Sequence, residues 1–260
     1  MSWYWAILRS LSFLSRLPVG NRPFDNLPQN WSVADDAWAF PLTGFILALP
    51  GASIFWLAAA FDLPALPVSV LACAFTMLLT GALHEDGLAD VADGFGGGSK
   101  KERRLEIMKD SSIGTYGALA LIIGFLVIAT STAHLIGTSG AAAGTIFIAV
   151  HVASRSIMVW HWHALPAAKG EGVASQAGQP SAKGAWYALV TGGPLTALLI
   201  GVATQFALLP LIIATLIGAA ISKSFSRLTL KLLGGHTGDT IGASQQLSLA
   251  ALMCALAMTV

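Results

Sequence analysis

The segment 84–93 concentrates ionisable side chains in a chain that is otherwise mostly apolar. Within these ten residues stand His84, Glu85, Asp86, Asp90 and Asp93. The three aspartates are four and then three residues apart, so on a helix their carboxylates project from one face. At about 6 Å and an effective dielectric constant near 20, two such charges repel by roughly 3 kcal/mol, which protonation, water or a bound cation must relieve. Hard oxygen ligands of this kind favour Mg²⁺.

A second pair of acids follows in the next polar stretch. Glu106 and Asp110 are four residues apart, which favours one helix face, and Asp110 stands just before the chain returns to apolar sequence at Ile113. A charge at the edge of an apolar segment usually has a function. The pattern therefore predicts that this pair completes a metal site with Asp86, Asp90 and Asp93. The alternative is an amphipathic surface helix held by ordinary salt bridges.

Glycines and basic residues separate the two acidic groups. The glycines are Gly94, Gly96, Gly97 and Gly98, and the basic residues are Lys100, Lys101, Arg103, Arg104 and Lys109. We expect a flexible turn that allows close backbone approach to a phosphate, with the cations neutralising a diphosphate. The order of residues excludes a Walker A loop, which needs Gly-Lys-Ser/Thr. The alternative is a solvated charge run.

A third polar segment, 234–242, reads Gly-Gly-His-Thr-Gly-Asp-Thr-Ile-Gly. Gly238 and Asp239 within it are candidates for binding a phosphate or a ribose, although a helix cap at Asp239 or Thr240 is the simpler reading of the segment alone. Arg155, inside an apolar stretch, should meet a carboxylate or an anionic ligand because an unpaired charge is costly there. His84 is expected to act as a base or to support the acidic site.

The elements that must position these residues are membrane helices. Only 10% of the 260 residues are charged and the mean hydropathy is +0.71, which excludes a soluble globule. The sequence predicts an all-α polytopic integral membrane protein and an N-terminal interfacial helix over about 1–17. Seven apolar stretches can cross a bilayer, at about 38–61, 66–83, 113–136, 141–160, 185–204, 205–222 and 243–260. Six spans is the main alternative, because the fifth and sixth run together.

The basic residues fall on one side of these spans, which predicts that this side is cytoplasmic. The long connections at 84–112, 161–184 and 223–242 lie there, and 161–184 is expected to be mobile. A net charge of +1 gives no sign of a nucleic-acid partner, and none is expected. Three polar loops on one membrane face indicate a metal-dependent phosphoryl-group enzyme. A transporter would instead place its acids in the middle of the spans.

Three motifs then give a specific resemblance. Residues 84–94 read His-x-Asp-Gly-Leu-Ala-Asp-x-x-Asp-Gly, 105–114 read Leu-Glu-Ile-Met-Lys-Asp-Ser-x-x-Gly, and 234–243 read Gly-Gly-x-Thr-Gly-Asp-Thr-x-Gly-Ala. In this order they resemble the cobalamin synthase family, adenosylcobinamide-GDP ribazoletransferase. The stretch Phe13–Pro18 and the pair Ser154-Arg155 are also similar to the family pattern. Glu85 departs from it, since an apolar residue is expected there.

The resemblance implies transfer of the adenosylcobinamide phosphate moiety from adenosylcobinamide-GDP to α-ribazole or its 5'-phosphate, with release of GMP and with Mg²⁺ as cofactor. It implies the inner membrane of a bacterial cell, contact with membrane lipid and active loops in the cytoplasm, and leaves open a homo-oligomer or a complex with other cobalamin-assembly enzymes. Carried onto this chain, the metal would be held by Asp86, Asp90, Asp93 and Asp110, and one of these carboxylates or His84 would take the proton of the attacking hydroxyl. Phosphates and nucleotide would be bound by Arg103, Arg104, Lys109, Arg155, Gly238 and Asp239.

Two other functions remain open at this point. A CDP-alcohol phosphatidyltransferase also uses spaced aspartates on membrane helices, but its signature Asp-Gly-x-x-Ala-Arg is not met here, where Asp90 interrupts it. A transporter of divalent cations or corrinoids is the non-enzymatic alternative. Flux into sealed vesicles without nucleotide release would identify it.

Overall fold

The protein is built from α-helices. The computed structural model describes residues 3–168 and 177–260, and in these ranges the only β-type pairing is an isolated bridge between Ala167 and His236. The helices are α1 (Trp3–Leu14), α2 (Phe40–Ala60), α3 (Ala65–Thr80), α4 (Leu83–Gly97), α5 (Lys101–Ile107), α6 (Thr115–Ser139), α7 (Ala142–Ala164), α8 (Ala182–Ala203), α9 (Leu208–Leu233) and α10 (Gly238–Ala257). The predicted all-α class is confirmed.

Six helices are long and apolar enough to cross a bilayer, namely α2 with the 3-10 turn before it, α6, α7, α8, α9 and α10. The pair α3 and α4 raises the number to seven if the two form one bent span, but they meet at 91°. Of the pair, α3 contains no charged residue, whereas α4 carries Glu85, Asp86, Asp90 and Asp93. We therefore describe α4 as lying outside the spanning segments. The predicted count of seven, with six as the alternative, agrees with this range.

The bend between α3 and α4 depends on two residues in the left-handed region. Gly81 has φ +64° and Ala82 has φ +56°. A left-handed conformation costs a residue that carries a Cβ about 1–2 kcal/mol, so Ala82 is held there by its surroundings. Arg16, just after α1, packs on the bend, and its backbone N–H donates to Leu79 O at 2.7 Å. Arg16 thus stabilises the turn that sets the direction of α4.

Helix α7 lies at the centre of the bundle and packs against α2, α8 and α10. Its side chains enter an apolar core in which Phe147 meets Phe55 edge-on, with ring centroids 5.1 Å apart. Close approach to α2 is possible because Gly44 and Gly51 of α2 face α7, where a Cβ would collide with His151 O and with the Phe147 ring. Small residues at such contacts let membrane helices pack tightly.

Two of the predicted connections are shorter than expected. Helix α9 continues to Leu233 and α10 begins at Gly238, so only residues 234–237 connect them, and α7 continues to Ala164. Helices need not end where the apolar sequence ends, because residues such as Lys223 and Lys231 keep their charge in water while the backbone stays helical. Residues 169–176 of the expected mobile connection lie outside the described residues.

The expected N-terminal helix is present, but part of its surface faces the protein. Leu11 and Leu14 are buried in a cluster that includes Phe40. Arg9, which the charge pattern placed at the cytoplasmic surface, is buried and paired with Asp36, with Nε–Oδ2 2.6 Å and Nη2–Oδ1 3.0 Å. This ion pair fixes α1 against the 3-10 turn that precedes α2.

Candidate active site

The acidic segment forms a helix, as its spacing predicts. Asp86, Asp90 and Asp93 all lie on α4, and α4 packs against α10 and α6. Asp86 is exposed, Asp90 is half-buried and Asp93 is buried. Along this face of α4, the burial of the carboxylates therefore increases from Asp86 to Asp93 within two turns.

Asp90 is the crowded carboxyl of the group. Burial is the largest cause that raises its pKa, followed by the charges of Asp239, Asp86 and Asp93, and the pKa reaches about 7. Both causes disfavour the charged carboxylate, burial because it removes water and the neighbouring acids because they repel a negative charge. Asp90 consequently titrates close to neutral pH.

Asp93 has both of its oxygens occupied by backbone amides. Gly114 N–H donates to Oδ2 at 2.7 Å and Gly117 N–H donates to Oδ1 at 2.9 Å, at the start of α6. A Cβ on either glycine would overlap the carboxylate, so both positions need glycine. A carboxylate at a helix N-terminus satisfies free N–H groups and the positive end of the helix dipole. Asp93 thus anchors α6 to α4.

Asp239 joins the acids of α4 from a distant part of the sequence. It stands in the first turn of α10, where Thr237 is the N-cap and accepts from Thr240 N–H at 3.2 Å. The predicted cap is present: Thr237 is the N-cap, and Thr240 completes a capping box in which its Oγ1 accepts from Thr237 N–H at 2.9 Å. The backbone of Asp239 lies directly on Gly87, where an added Cβ would be 2.7 Å from Asp239 O. Gly87 therefore brings Asp239 beside Asp86 and Asp90.

A cavity of about 800 Å³ extends from α4 into the bundle. Its polar end includes Asp86, Asp90 and Asp110, and Asp93 is not among its lining residues. Its apolar walls come mainly from α3, α6, α7 and α10: Met77, Phe125, Ile128, Phe147 and Leu249. We call this the inner cavity. Three of the four predicted metal ligands therefore share one pocket.

A second cavity of about 430 Å³ lies on the other side of α4, between α1, α7 and the start of α10. It contains Thr237, Gly238 and Asp239, and we call it the outer cavity. The residues that line both cavities are His84, Asp86, Met108 and Lys109. The two cavities thus meet at the N-terminal half of α4, beside the acidic residues.

The acids suit a divalent cation by type but do not form a complete cage. The described residues contain no group of three or more His, Cys, Asp or Glu side chains close enough to hold a metal ion together. Both oxygens of Asp93 already accept hydrogen bonds from α6. Asp110 follows the end of α5 and does not pair with Glu106 on a helix face as predicted; Ser112 N–H donates to it at 2.9 Å, which lowers its pKa. Magnesium commonly uses one or two carboxylates together with substrate phosphates, and Asp86 and Asp239 suit that arrangement.

The glycine-rich segment is not the flexible phosphate-binding turn that its composition suggested. Gly94, Gly96 and Gly97 continue α4. At Gly94 a Cβ would meet Met108, and at Gly96 it would meet the Tyr116 ring at 2.6 Å. These glycines allow α5 and the start of α6 to pack against α4, so their backbone is not open to a ligand.

The basic residues of α5 occupy separate positions. Arg103 is exposed and pairs with Glu106 at 2.7 Å, and Arg104 is half-buried. Neither residue lines the inner or the outer cavity, whereas Lys109 lines both. Of Arg103, Arg104 and Lys109, the structure brings only Lys109 to the acidic site.

His84 and Arg155 belong to a buried polar cluster that the motifs did not predict in full. Burial, and then the charge of Arg155, lowers the pKa of His84 to about 3. Arg155 Nη1 lies 3.1 Å from His151 Nδ1, and no carboxylate forms a salt bridge with it among the described residues. The charge of Glu85, the residue that departs from the family pattern, acts on Arg155. Sequence reasoning missed Gln245 and Gln246 of α10, because amides inside an apolar helix carry no motif.

Comparison with known proteins agrees with the motifs. A model of the cobalamin-5-phosphate synthase family matches residues 6–257. A Sinorhizobium protein named adenosylcobinamide-GDP ribazoletransferase is 44% identical over 260 residues, covering 98% of this chain and 96% of the relative. Proteins of the same name from Rhizobium etli and Brucella ovis are 42% and 43% identical, covering 96% and 95% of this chain and 95% and 94% of those relatives. No solved structure matches the chain significantly. The chain belongs to the cobalamin-5-phosphate synthase family.

Proposed function

We propose that this protein is an adenosylcobinamide-GDP ribazoletransferase, which joins the adenosylcobinamide phosphate moiety to α-ribazole or its 5'-phosphate and releases GMP. Near-full-length similarity to proteins of that name supports the reaction. The observation that carries the site is the meeting of two cavities beside Asp86, Asp90 and Asp239. A transferase needs two substrates to meet at one reacting phosphorus, and this junction offers such a place.

The diphosphate would lie at the junction, with Lys109 beside it and Mg²⁺ held by Asp86 and Asp239. The cation would neutralise charge on the diphosphate and on the departing GMP. The ligand set predicted from the sequence changes accordingly, because Asp93 already binds two amides of α6 and Asp110 accepts from Ser112 N–H in a local turn. Two carboxylates from two helices leave the remaining coordination positions to phosphate and water.

Asp90 would act as the general base. The hydroxyl oxygen of the ribose attacks the phosphorus attached to cobinamide, the bond from that phosphorus to the GMP oxygen breaks, and the proton passes to Asp90. A base works best when its pKa lies near the operating pH, which favours Asp90, at about 7, over His84, at about 3. His84 Nε2, which is buried without a partner, can accept a hydrogen bond and so orient the hydroxyl.

We also place the acidic end of the bundle in the cytoplasm, at the inner membrane of a bacterial cell. The relatives come from bacteria. Basic residues stand between α4 and α6 and in the C-terminal part of α9, namely Lys101, Lys109, Arg227 and Lys231, and Lys109 lines both cavities. Basic residues are enriched on the cytoplasmic side of membrane proteins.

The reaction is tested by incubating the protein in proteoliposomes with adenosylcobinamide-GDP and α-ribazole. We expect GMP release that requires both α-ribazole and Mg²⁺, stops with EDTA and returns when Mg²⁺ is restored. Calcium serves as the control ion, because its larger radius suits a different coordination geometry. GMP release without α-ribazole would identify a hydrolase, and no release with all components would refute the proposed function.

A further inference from the structure

Four buried polar atoms of the inner cavity find no hydrogen-bond partner among the described residues. They are His84 Nε2, Glu85 Oε2, Arg155 Nε and Gln245 Oε1, and they come from residues that all line the inner cavity. His84, Arg155 and Gln245 are each no more than 2% exposed. A buried polar atom left unpaired costs about 1–3 kcal/mol, so this cluster is built to be completed by water or by a ligand.

The cluster is held rigidly by its other contacts. Gln245 Nε2 donates to Ser154 Oγ at 3.1 Å, and Gln246 Nε2 donates to Glu85 Oε1 at 2.8 Å. Arg155 packs over Gly44, where a Cβ would lie 2.6 Å from Arg155 Cδ. In Glu85, Arg155 and Gln245, one polar atom is thus held by the protein and another is left free, as in a preformed binding site.

The rest of the cavity lining is mostly apolar and partly aromatic. Phe125, Ile128, Phe147 and Leu249 contribute to it, from α6, α7 and α10. A ligand that fills the space must therefore have a flat apolar part and a polar part with both donors and acceptors. A nucleoside with an apolar bicyclic base has this character, and its hydroxyls can meet the free atoms of Glu85 and Gln245.

We propose that the inner cavity binds the benzimidazole riboside acceptor, α-ribazole, with its base among the aromatic side chains and its ribose at the polar cluster. This inference rests on the proposed function and specifies which cavity serves which substrate. The activated corrinoid, with its macrocycle and many side-chain amides, is too large for a space of about 800 Å³ and would approach from the outer side. The reacting hydroxyl would then reach Asp90 from inside the bundle.

A pair of glycines on α6 provides a matched test. Gly124 lines the inner cavity, and a Cβ there would make only an ordinary contact, 3.5 Å from Leu88. Gly137 is exposed on the same helix, and a Cβ there would meet nothing within 4 Å. Gly124→Leu should reduce the cavity volume, whereas Gly137→Leu makes the same chemical change in open space.

We expect Gly124→Leu to raise the KM for α-ribazole about tenfold and to leave the KM for adenosylcobinamide-GDP within about twofold, since only one substrate loses room. Gly137→Leu should match the wild type for both substrates. A second variant, Gln245→Met, keeps the side-chain length but removes the free acceptor, and should raise the same KM without requiring new space. Elution as a single peak in detergent, compared with the wild type, reports folding.

The failures of the two proposals can be separated. If the wild-type protein does not transfer the corrinoid phosphate to α-ribazole, the proposed function is wrong. If it does, but Gly124→Leu and Gln245→Met leave the KM for α-ribazole unchanged or raise the KM for adenosylcobinamide-GDP instead, the inner cavity does not bind the acceptor.

Discussion

The two halves of α4 carry similar residues but have different structural roles. In the first half, His84 and Glu85 each have a buried atom without a partner, and Asp90 is surrounded by like charges. In the second half, Asp93 binds two amides of α6, and Gly94 and Gly96 pack against Met108 and Tyr116. The first half is available for chemistry, whereas the second half holds the helix in place.

The difference arises from the neighbours of each half. The first half faces two cavities and the N-terminal turn of α10, and the second half is covered by α5 and the start of α6. A carboxylate with satisfied oxygens has little left for a metal or a substrate. Residue type and spacing alone therefore cannot separate a catalytic aspartate from an anchoring one.

The largest expected effect is on catalysis. Asp90→Asn removes the proposed base and should lower kcat by about 10²–10⁴-fold, while unfolding temperature in detergent stays equal to or above that of the wild type because a repelled charge has been removed. The rate of GMP release measures the effect. Wild-type turnover in Asp90→Asn would exclude this residue from the mechanism.

Asp93→Asn should lower the stability of the fold, unlike Asp90→Asn, which should lower kcat. An amide has one acceptor oxygen, so one of the two N–H groups of α6 loses its partner and stability should fall by about 1–3 kcal/mol. Denaturant unfolding measures this loss, with Asp110→Asn as the control, since Asp110 is exposed and holds only a local turn. Unchanged stability in Asp93→Asn would contradict the anchoring role.

The pH dependence of the reaction should reflect Asp90. Without a bound cation its pKa is raised to about 7, first by burial and then by the charges of Asp239, Asp86 and Asp93. Mg²⁺ on Asp86 and Asp239 would remove part of this repulsion, so the kcat/KM of the Mg²⁺-dependent reaction should fall about tenfold per pH unit below a midpoint under 7. The pH dependence of stability has the opposite sign. The folded state binds the Asp90 proton more tightly than the unfolded state does, so the contribution of Asp90 to stability is present at low pH. This contribution is lost as pH rises through about 7. A rate profile that stays flat from pH 5 to 8 would argue against Asp90 as the base.

The smallest expected effects are on the KM for adenosylcobinamide-GDP, and they separate the basic side chains Lys109 and Arg103. Lys109→Ala should raise the KM for adenosylcobinamide-GDP about tenfold, because Lys109 lines both cavities. Arg103→Ala should change it by less than about twofold, since this residue is exposed, pairs with Glu106 and lines neither cavity. Equal effects of the two substitutions would mean that charge near the site matters more than position.

Much of this protein could be predicted from local sequence. Apolar length predicted the membrane helices, since a bilayer admits only segments that satisfy their own backbone hydrogen bonds. The four-and-three spacing predicted that Asp86, Asp90 and Asp93 share one helix, because helical periodicity is a local property. The three motifs, resembling the cobalamin synthase family, predicted the membership that the comparison showed.

Only the tertiary structure separated the roles of these residues. Asp239 joins Asp86 because Gly87 admits the backbone of α10, and Gln245 meets the inner cavity because α10 crosses beside α7. These contacts join residues more than 90 positions apart in the chain, and no local spacing encodes them. The burial of a residue and the charges near it depend on which distant side chains pack around it. The raised pKa of Asp90 and the two hydrogen bonds from α6 to Asp93 therefore follow from the fold as a whole.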